Sequence, residues 1–222
     1  KPGLADVIET VASNAGELRL RLGSLEPTVI TEDFCRRAAA TGKLCRHFHL
    51  SLQSGCDKTL KNKNRKYDTA RFFESTELLR RYFPGCALTA DLITGFPCET
   101  EADHEATLAF IRRCGFSDMH VFPYSRRPGT PADAMPEQCP HAVKARRAHE
   151  AQAAADEMHR DFLEKSVALT LPVLFETQEG GCALGHSDTY LLVKAPGDGL
   201  RGQLRPVRIS GAEGDRLVGE IV

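Results

Sequence analysis

The stretch FHLSLQSGCDKTLKNKNRKY, residues 48–67, begins as a β-strand and continues as a long polar run. Its apolar residues Phe48, Leu50 and Leu52 alternate with polar ones, which is the period-two pattern of a strand with one buried face. The run that follows is rich in hydrogen-bonding and cationic side chains, whereas a turn requires little more than a glycine and one short polar residue. This stretch therefore predicts a strand whose carboxyl end does more than reverse the chain.

Three other apolar segments share this arrangement of a strand pattern followed by a helical one. The predicted strands cover residues 18–27, 47–55, 86–97 and 118–125, and the predicted helices cover residues 4–14, 31–41, 69–82 and 101–113. Strands alternating with helices predict parallel βα units, and four units are too few for a closed eight-unit barrel. We therefore expect an α/β fold with an open, partial parallel βα barrel over residues 1–139.

The remaining residues predict a connecting helix and a second domain. Residues 140–166 are rich in Ala and carry five basic and five acidic residues, so we expect a solvated helix rather than a basic arm. Residues 167–222 consist of short β-like runs separated by Gly-rich turns. This pattern predicts a small all-β barrel.

Polar residues follow each predicted strand. Ser24 and Glu26 end the first strand, Ser51, Gln53 and Ser54 end the second, residues 94–99 the third, and residues 124–130 the fourth. In parallel βα folds, the chemistry gathers at the carboxyl ends of the strands. We therefore expect these residues to form one functional rim.

Composition limits the class of protein. Among 222 residues, 41% are hydrophobic and 27% are charged, which is typical of a globular protein. No apolar run approaches the roughly 18 residues needed to cross a bilayer, and we expect neither a signal peptide nor a membrane partner. The net charge of −1 predicts neither nucleic-acid nor acidic-substrate binding. Because the sequence begins with Lys1 rather than Met, we expect a piece of a longer chain.

The eight cysteines point to a reducing compartment. The closest two, Cys35 and Cys45, are ten residues apart, so there is no CxxC pair. A disulfide framework is not expected in a domain of this size, and we predict a cytoplasmic protein with small buried thiols. No metal ligand is assigned: Cys98 stands alone, and His47 and His49 share one strand face, where core or edge histidines are commoner than ligands.

The chain resembles the radical S-adenosylmethionine methylthiotransferases. The features that carry the resemblance appear in the order typical of that family: RLGSLEP (21–27), FHLSLQSG (48–55), NRKY (64–67), DLITGFPCET (91–100), FPYSRRPGTPA (122–132) and a C-terminal segment similar to a TRAM domain. The resemblance implies the later part of a radical SAM βα barrel followed by an RNA-binding TRAM-like barrel. LCRHFHLSLQSG and MHVFPYSRRPGTPA most resemble the branch that modifies threonylcarbamoyladenosine in tRNA. The branches that modify isopentenyladenosine in tRNA or a ribosomal-protein aspartate are weaker alternatives.

The resemblance also implies cofactors and partners. The intact enzyme uses S-adenosylmethionine, two 4Fe-4S clusters and a reductant protein to add a methylthio group to C2 of the adenine in tRNA. One cluster belongs to an N-terminal domain and the other to a CxxxCxxC loop, and neither motif occurs in these 222 residues. We therefore expect the chain to lack the iron ligands and to be inactive alone.

Candidate cofactor-binding residues follow from matching positions. They are Ser24, Glu26, Ser51, Gln53, Ser54, Arg65, Gly95, Phe96 and Val121. Hydroxyl and amide groups suit a ribose or an amino-acid group, and Arg65 suits the cofactor carboxylate. The alternatives are a capped turn for Ser54, an exposed carboxylate for Glu26 and a solvated cation for Arg65. Lys63 stands where an apolar residue is common in the family.

Candidate substrate-binding residues lie at the last predicted strand end. They are Tyr124, Ser125, Arg126, Arg127 and Thr130, and the two arginines suit tRNA phosphates or the threonyl carboxylate. The alternative is a Pro-Gly turn with two exposed arginines. No residue is assigned a catalytic role.

Two rival classes of function remain open. A non-catalytic RNA-binding module would bind tRNA but not S-adenosylmethionine. A metal-free βα-barrel enzyme acting on a phosphorylated metabolite would need a Gly-rich phosphate loop, and none is convincing. From Ala168 onward there are five basic and seven acidic residues, and only Phe175 and Tyr190 can stack on bases. The β domain alone is therefore expected to bind RNA weakly.

Overall fold

The computed structural model describes residues 2–14, 16 and 18–222. A parallel four-stranded sheet of order β1-β2-β3-β4 is joined by a long helix to a closed five-stranded barrel of order β5-β6-β7-β9-β8. The helices are α1 (Leu4–Asn14), α2 (Glu32–Ala40), α3 (Asp57–Asn62), α4 (Thr69–Tyr82), α5 (Glu101–Cys114) and α6 (His141–Ser166). The strands are β1 (Ser24–Leu25), β2 (His47–Gln53), β3 (Ala87–Thr94), β4 (Asp118–Pro123), β5 (Thr170–Glu179), β6 (Cys182–Ser187), β7 (Leu192–Pro196), β8 (Leu204–Glu213) and β9 (Arg216–Ile221). The predicted fold class, an open parallel α/β sheet followed by a small β-barrel, is confirmed.

Two local predictions are wrong. The first strand, predicted over residues 18–27, is confined to β1. Leu20 makes only an isolated bridge to Leu44, and residues 21–23, between Leu20 and β1, pair with no strand. The six-residue helix α3 was not predicted within the polar run. It lacks a side-chain cap and has only Thr59 and Leu60 as buried residues, so it leaves little periodic pattern.

The sheet has an apolar and a polar face. Phe48, Leu50 and Leu52 of β2 are fully buried in the core beneath the helices. Because side chains alternate along a strand, His47, His49, Ser51 and Gln53 project from the other face. The parallel register continues this polar face across the sheet, pairing His49 with Thr89 of β3 and Asp91 with His120 of β4.

Side-chain caps fix where several helices begin. The hydroxyl of Thr31 accepts a hydrogen bond from the backbone N–H of Phe34 and so caps the start of α2. Thr100 and Asp103 form a capping box at the start of α5. Each such cap contributes about 1 kcal/mol. The start of α5 is therefore a fixed point directly after the third strand end.

The barrel meets the sheet at the amino end of β2. Arg46 and Asp188 form an ion pair at 2.6 Å, and the rings of His47 and Tyr190 lie 5.1 Å apart. Since β2 has seven residues, the carboxyl end of the strand lies about 20 Å away. The barrel therefore lies at the end of the sheet opposite the predicted functional rim.

No helix formed by the described residues has both the length and the apolar character needed to cross a bilayer.

Candidate functional site at the carboxyl ends of the strands

The structure brings four predicted residues together at the ends of β1 and β2. The hydroxyl oxygens of Ser24 and Ser51 lie 3.0 Å apart, so one donates a hydrogen bond to the other. Beside them, Nη1 of Arg65 donates to Oε1 of Glu26 at 3.1 Å, with both side chains partly exposed. This end of the rim therefore offers two hydroxyl groups, a cation and a carboxylate that solvent can reach.

Lys63 joins the ends of β2 and β3 and was missed as a site residue. Its Nζ donates to the carbonyl oxygens of Gln53 at 2.6 Å and Ile93 at 3.0 Å. The pKa of Lys63 is lowered to about 7, chiefly by burial; the charge of Glu99 opposes this shift and the charge of Arg65 adds to it. An amine with this pKa exchanges protons readily at neutral pH. Its only sequence signal was a lysine where relatives commonly have an apolar residue.

Gln53 supports this contact through its backbone. Its φ angle is +65°, and the pairing of β2 with β3 shifts register between Leu50 and Gln53. The shift turns the Gln53 carbonyl toward Lys63. The predicted rim residue thus acts here through its carbonyl oxygen.

A cavity of about 570 Å³ opens at the ends of β3 and β4. It is lined by Ile93, Phe122, Pro123, Tyr124, Ser125, Arg127, Thr130 and Ala132. Next to it, the rings of Phe96 and Tyr124 pack edge to face with centroids 5.1 Å apart. A volume of this size lies within the range of pockets for small molecules and cofactors.

Two buried hydroxyl groups near the cavity lack hydrogen-bond partners among the described residues. They are Oγ1 of Thr94, the last residue of β3, and the phenol oxygen of Tyr124. Buried polar groups in proteins are almost always paired, and leaving one unpaired costs about 1–3 kcal/mol. This cost is removed if a bound molecule or water supplies the missing partner, so the pair indicates a place for a polar ligand.

The predicted substrate residues divide into two groups. Arg126 is engaged by Asp133 at 2.8 Å, and Thr130 caps the short 3₁₀ helix Pro131–Asp133. Arg127 and Ser125 line the cavity and are exposed. Within the described part of the chain, Arg127 has no acidic partner, which leaves its guanidinium group free for a ligand.

Three predicted cofactor residues offer no free polar side chain at the rim. The hydroxyl of Ser54 is buried between Thr107 and the backbone N–H of Cys56. Val121 packs against the hydrophobic core on the helix side of the sheet. The N–H of Gly95 donates to Glu99, and a Cβ at Gly95 would lie 2.6 Å from Cγ of Lys144 in α6. All three therefore shape the strand ends rather than offer a polar group to a ligand.

A buried ion pair anchors the loop after β3. Nη1 of Arg147 lies 3.0 Å from Oε1 of Glu99, and each side chain is only 4% exposed. The same arginine nitrogen donates to the Glu99 carbonyl oxygen, and Glu99 in turn accepts from Gly95. Arg147 therefore fastens α6 to the loop that carries Phe96. Sequence analysis missed this pair because Arg147 belongs to a helix predicted to be solvated.

The cysteines do not form a cluster site. Burial raises the pKa of the Cys35 thiol to about 11 and those of Cys86 and Cys114 to about 12, whereas iron requires thiolates. Among the described residues, no group of three cysteines has its sulfur atoms close enough to share a metal. These residues therefore do not fit a 4Fe-4S cluster.

Comparisons with known proteins agree with this arrangement. Residues 5–111 match the family model described as the radical SAM superfamily. The chain is 37% identical to a tRNA-2-methylthio-N(6)-dimethylallyladenosine synthase of Maricaulis maris, over 99% of this chain and 49% of that protein. It is 35% identical to the threonylcarbamoyladenosine tRNA methylthiotransferase MtaB of Bacillus subtilis, over 87% of this chain and 44% of that protein.

A solved structure extends the comparison to the fold. Coproporphyrinogen III oxidase (HemN) of Escherichia coli, a radical SAM enzyme, aligns with a TM-score of 0.58 at 15% identity, covering 96% of this chain and 55% of that one. The chain spans about half the length of the curated relatives it matches. On these matches, residues 5–111 belong to the radical SAM superfamily, and the chain is similar to about half of each of two tRNA methylthiotransferases of that kind.

Proposed function

We propose that the chain is part of a tRNA methylthiotransferase that adds a methylthio group to C2 of the adenine in threonylcarbamoyladenosine. Its own contribution is to hold S-adenosylmethionine and the target nucleoside at the carboxyl ends of β1 to β4. The observation that carries this proposal is the rim, where the Arg65–Glu26 pair and the unpaired hydroxyls of Thr94 and Tyr124 surround the strand ends.

The rim fits the polar groups of S-adenosylmethionine. Arg65 would bind its carboxylate, Glu26 its ammonium group, and Ser24 and Ser51 its ribose hydroxyls. A sheltered contact between a guanidinium and a carboxylate is worth about 1.5–3 kcal/mol. Phe96 and its loop would take the adenine. When bound, the cofactor supplies radical chemistry and a methyl group.

Four other predicted residues act on the rim indirectly in this proposal. Gln53 fixes Lys63 through its carbonyl, and Ser54, Gly95 and Val121 hold the strand ends in place. Their replacement would disturb binding through the shape of the site. None of the four would contribute a charge to the cofactor.

The cavity beside Tyr124 would receive the nucleoside. Arg127 would pair with the threonyl carboxylate, and Ser125 and Thr130 lie on the same wall. Arg126, held by Asp133, would keep this loop in position and face tRNA phosphates. A dimethylallyl group carries no charge and would gain nothing from Arg127. This free guanidinium is the reason for preferring threonylcarbamoyladenosine.

Other components of the enzyme would come from outside these residues. We place the ligands of both 4Fe-4S clusters in another part of a longer protein, because the described cysteines do not fit a cluster. A reductant protein and a cytoplasmic location belong to the same proposal. The barrel, which is TRAM-like and carries more acidic than basic residues, would bind tRNA together with Arg127 rather than alone.

Mass spectrometry of tRNA nucleosides tests this function. Deleting the full gene should remove the methylthio group from threonylcarbamoyladenosine and leave isopentenyladenosine derivatives unchanged. The full gene should restore the modification. An Arg127→Ala gene should restore at most about a tenth of it, since one charged contact is worth about 1.5–3 kcal/mol. The matched control Arg36→Ala, at an exposed position on α2, should restore it fully. Loss of methylthio from the isopentenyl nucleoside alone would assign the other branch, and loss from neither would refute the proposal.

A further inference from the structure

Three potential metal ligands meet on the polar face of the sheet, away from the rim. His49 of β2, Asp91 of β3 and His120 of β4 each direct one ligand atom to a common point, and these atoms all lie within 4.8 Å of one another. His120 pairs in register with Asp91, and His49 pairs with Thr89, two residues before Asp91 on the same face. Adjacent strands are about 4.8 Å apart, so side chains on one face of three strands can share an ion.

Hydrogen bonds orient His49 toward this point. Its Nδ1 lies 2.9 Å from Oγ1 of Thr89, while its Nε2 lies 3.3 Å from Oδ2 of Asp91. Thr89 is itself fixed by His47, whose Nε2 lies 3.3 Å from the same hydroxyl. An imidazole that uses one nitrogen for a second-shell bond and presents the other is the usual arrangement of a metal-ligating histidine.

We propose that His49, Asp91 and His120 bind a divalent first-row transition ion of the zinc class. Imidazole nitrogens suit zinc, iron, cobalt and nickel, whereas magnesium and calcium require oxygen ligands. Two histidines and one carboxylate leave at least one coordination position open, as in catalytic rather than structural sites. Solvent can reach the site, since His120 is exposed and the side chains of His49 and Asp91 are 18% and 32% exposed.

This site is separate from the proposed cofactor site. His49 precedes Gln53 by four residues in β2, which places it about 13 Å from the rim. It contains no cysteine and cannot be confused with a cluster ligand set. The contrary expectation from the sequence, that His49 is a core or edge histidine, rested on one strand alone. It did not include the register that adds Asp91 and His120.

Titration of the 222-residue chain with Co²⁺ tests the proposal. We expect one equivalent to bind with visible d–d absorption and without the near-ultraviolet thiolate band that cysteine ligands give, and Zn²⁺ to displace it while Mg²⁺ does not. His120→Ala, at an exposed position, should weaken binding more than about 100-fold, and Thr89→Val, which removes the orienting hydroxyl, about 10–100-fold. The matched control His149→Ala, exposed on α6, should bind as the parent does.

Several results would overturn the proposal. The first is Co²⁺ binding that is unchanged in His120→Ala. The second is a thiolate absorption band, and the third is no bound Co²⁺ at millimolar concentration. Thermal unfolding of each variant shows whether its fold is intact. If His120→Ala does not fold, Thr89→Val carries the test, and Co²⁺ binding that Thr89→Val leaves unchanged would overturn the proposal.

Discussion

The amine of Lys63 lies 2.6 Å from the carbonyl oxygen of Gln53 and so ties the loop after α3 to the end of β2. Two residues further on, the same loop presents Arg65 to Glu26. A desolvated amine held by two main-chain carbonyls therefore sets the position of the guanidinium that we assign to the cofactor carboxylate. This arrangement costs free energy, because the Lys63 amine, which is charged in water at neutral pH, is buried.

Replacing Lys63 with Met tests that cost. The pKa of Lys63 is about 7 in the folded chain against an ordinary value of 10.5. Between pH 7 and 10.5 the amine is protonated in the unfolded chain and neutral in the folded one, so the contribution of Lys63 to the free energy of unfolding rises with pH. Below about pH 7 the amine is protonated in both states, and the full cost of burying its charge is present. Lys63→Met should therefore stabilise the chain more at about pH 6 than at about pH 9, by about 2–3 kcal/mol.

Urea unfolding at the two pH values measures this difference. All other groups titrate alike in both proteins and cancel in the comparison. Lys66→Met, at an exposed position in the same loop, is the matched control and should show no such difference. An effect of Lys63→Met that is the same at both pH values would mean that the amine keeps an ordinary pKa.

Replacing Arg147 with Met should destabilise the chain by about 3–5 kcal/mol, because it leaves the Glu99 carboxylate buried without its counter-ion. The neighbouring Arg146→Met is the control. Its guanidinium binds Glu101 and Glu150 at the surface and is 46% exposed, so its loss should cost no more than about 1 kcal/mol. Glu99→Gln combined with Arg147→Met should recover part of the loss in urea unfolding. Equal costs for the two arginines would contradict the buried ion pair.

The barrel depends on close backbone approach at Gly185. A Cβ there would lie 2.0 Å from the carbonyl oxygen of Leu174, so Gly185→Ala must push β5 and β6 apart and should cost at least about 2 kcal/mol. Gly211→Ala is the matched control, since its Cβ would meet Val218 at an ordinary 3.7 Å. Amide hydrogen exchange should show faster exchange in β5 and β6 for the first variant only. Unchanged protection in both would refute this packing.

The sequence predicts elements better than it predicts which residues meet. Helix α4 was predicted over the residues that form it, because its apolar residues and its Asp68 cap are local features. Alternation in β2 also identified its buried face. In β4, however, Met119, Val121 and Phe122 are all apolar, so the pattern did not show that Val121 faces the core.

Contacts between distant segments were beyond local patterns. Lys63 is an ordinary cation in the sequence, and only the folded chain brings its amine to the carbonyl oxygens of Gln53 and Ile93. The triad of His49, Asp91 and His120 likewise depends on the register of three parallel strands, which the connecting helices set. Register and burial are tertiary properties, and a single sequence does not encode them within any short window.

The most direct measurement of the central claim is a nuclear magnetic resonance titration of the ¹⁵N-labelled chain with S-adenosylmethionine. We predict changes in amide chemical shifts concentrated at Ser24, Ser51, Arg65, Phe96 and Tyr124. Arg65→Met should weaken this binding at least about tenfold, since the charged contact is worth about 1.5–3 kcal/mol, and Lys66→Met should not. Shift changes confined to the barrel, or binding that Arg65→Met leaves unchanged, would contradict a cofactor site at the carboxyl ends of the strands.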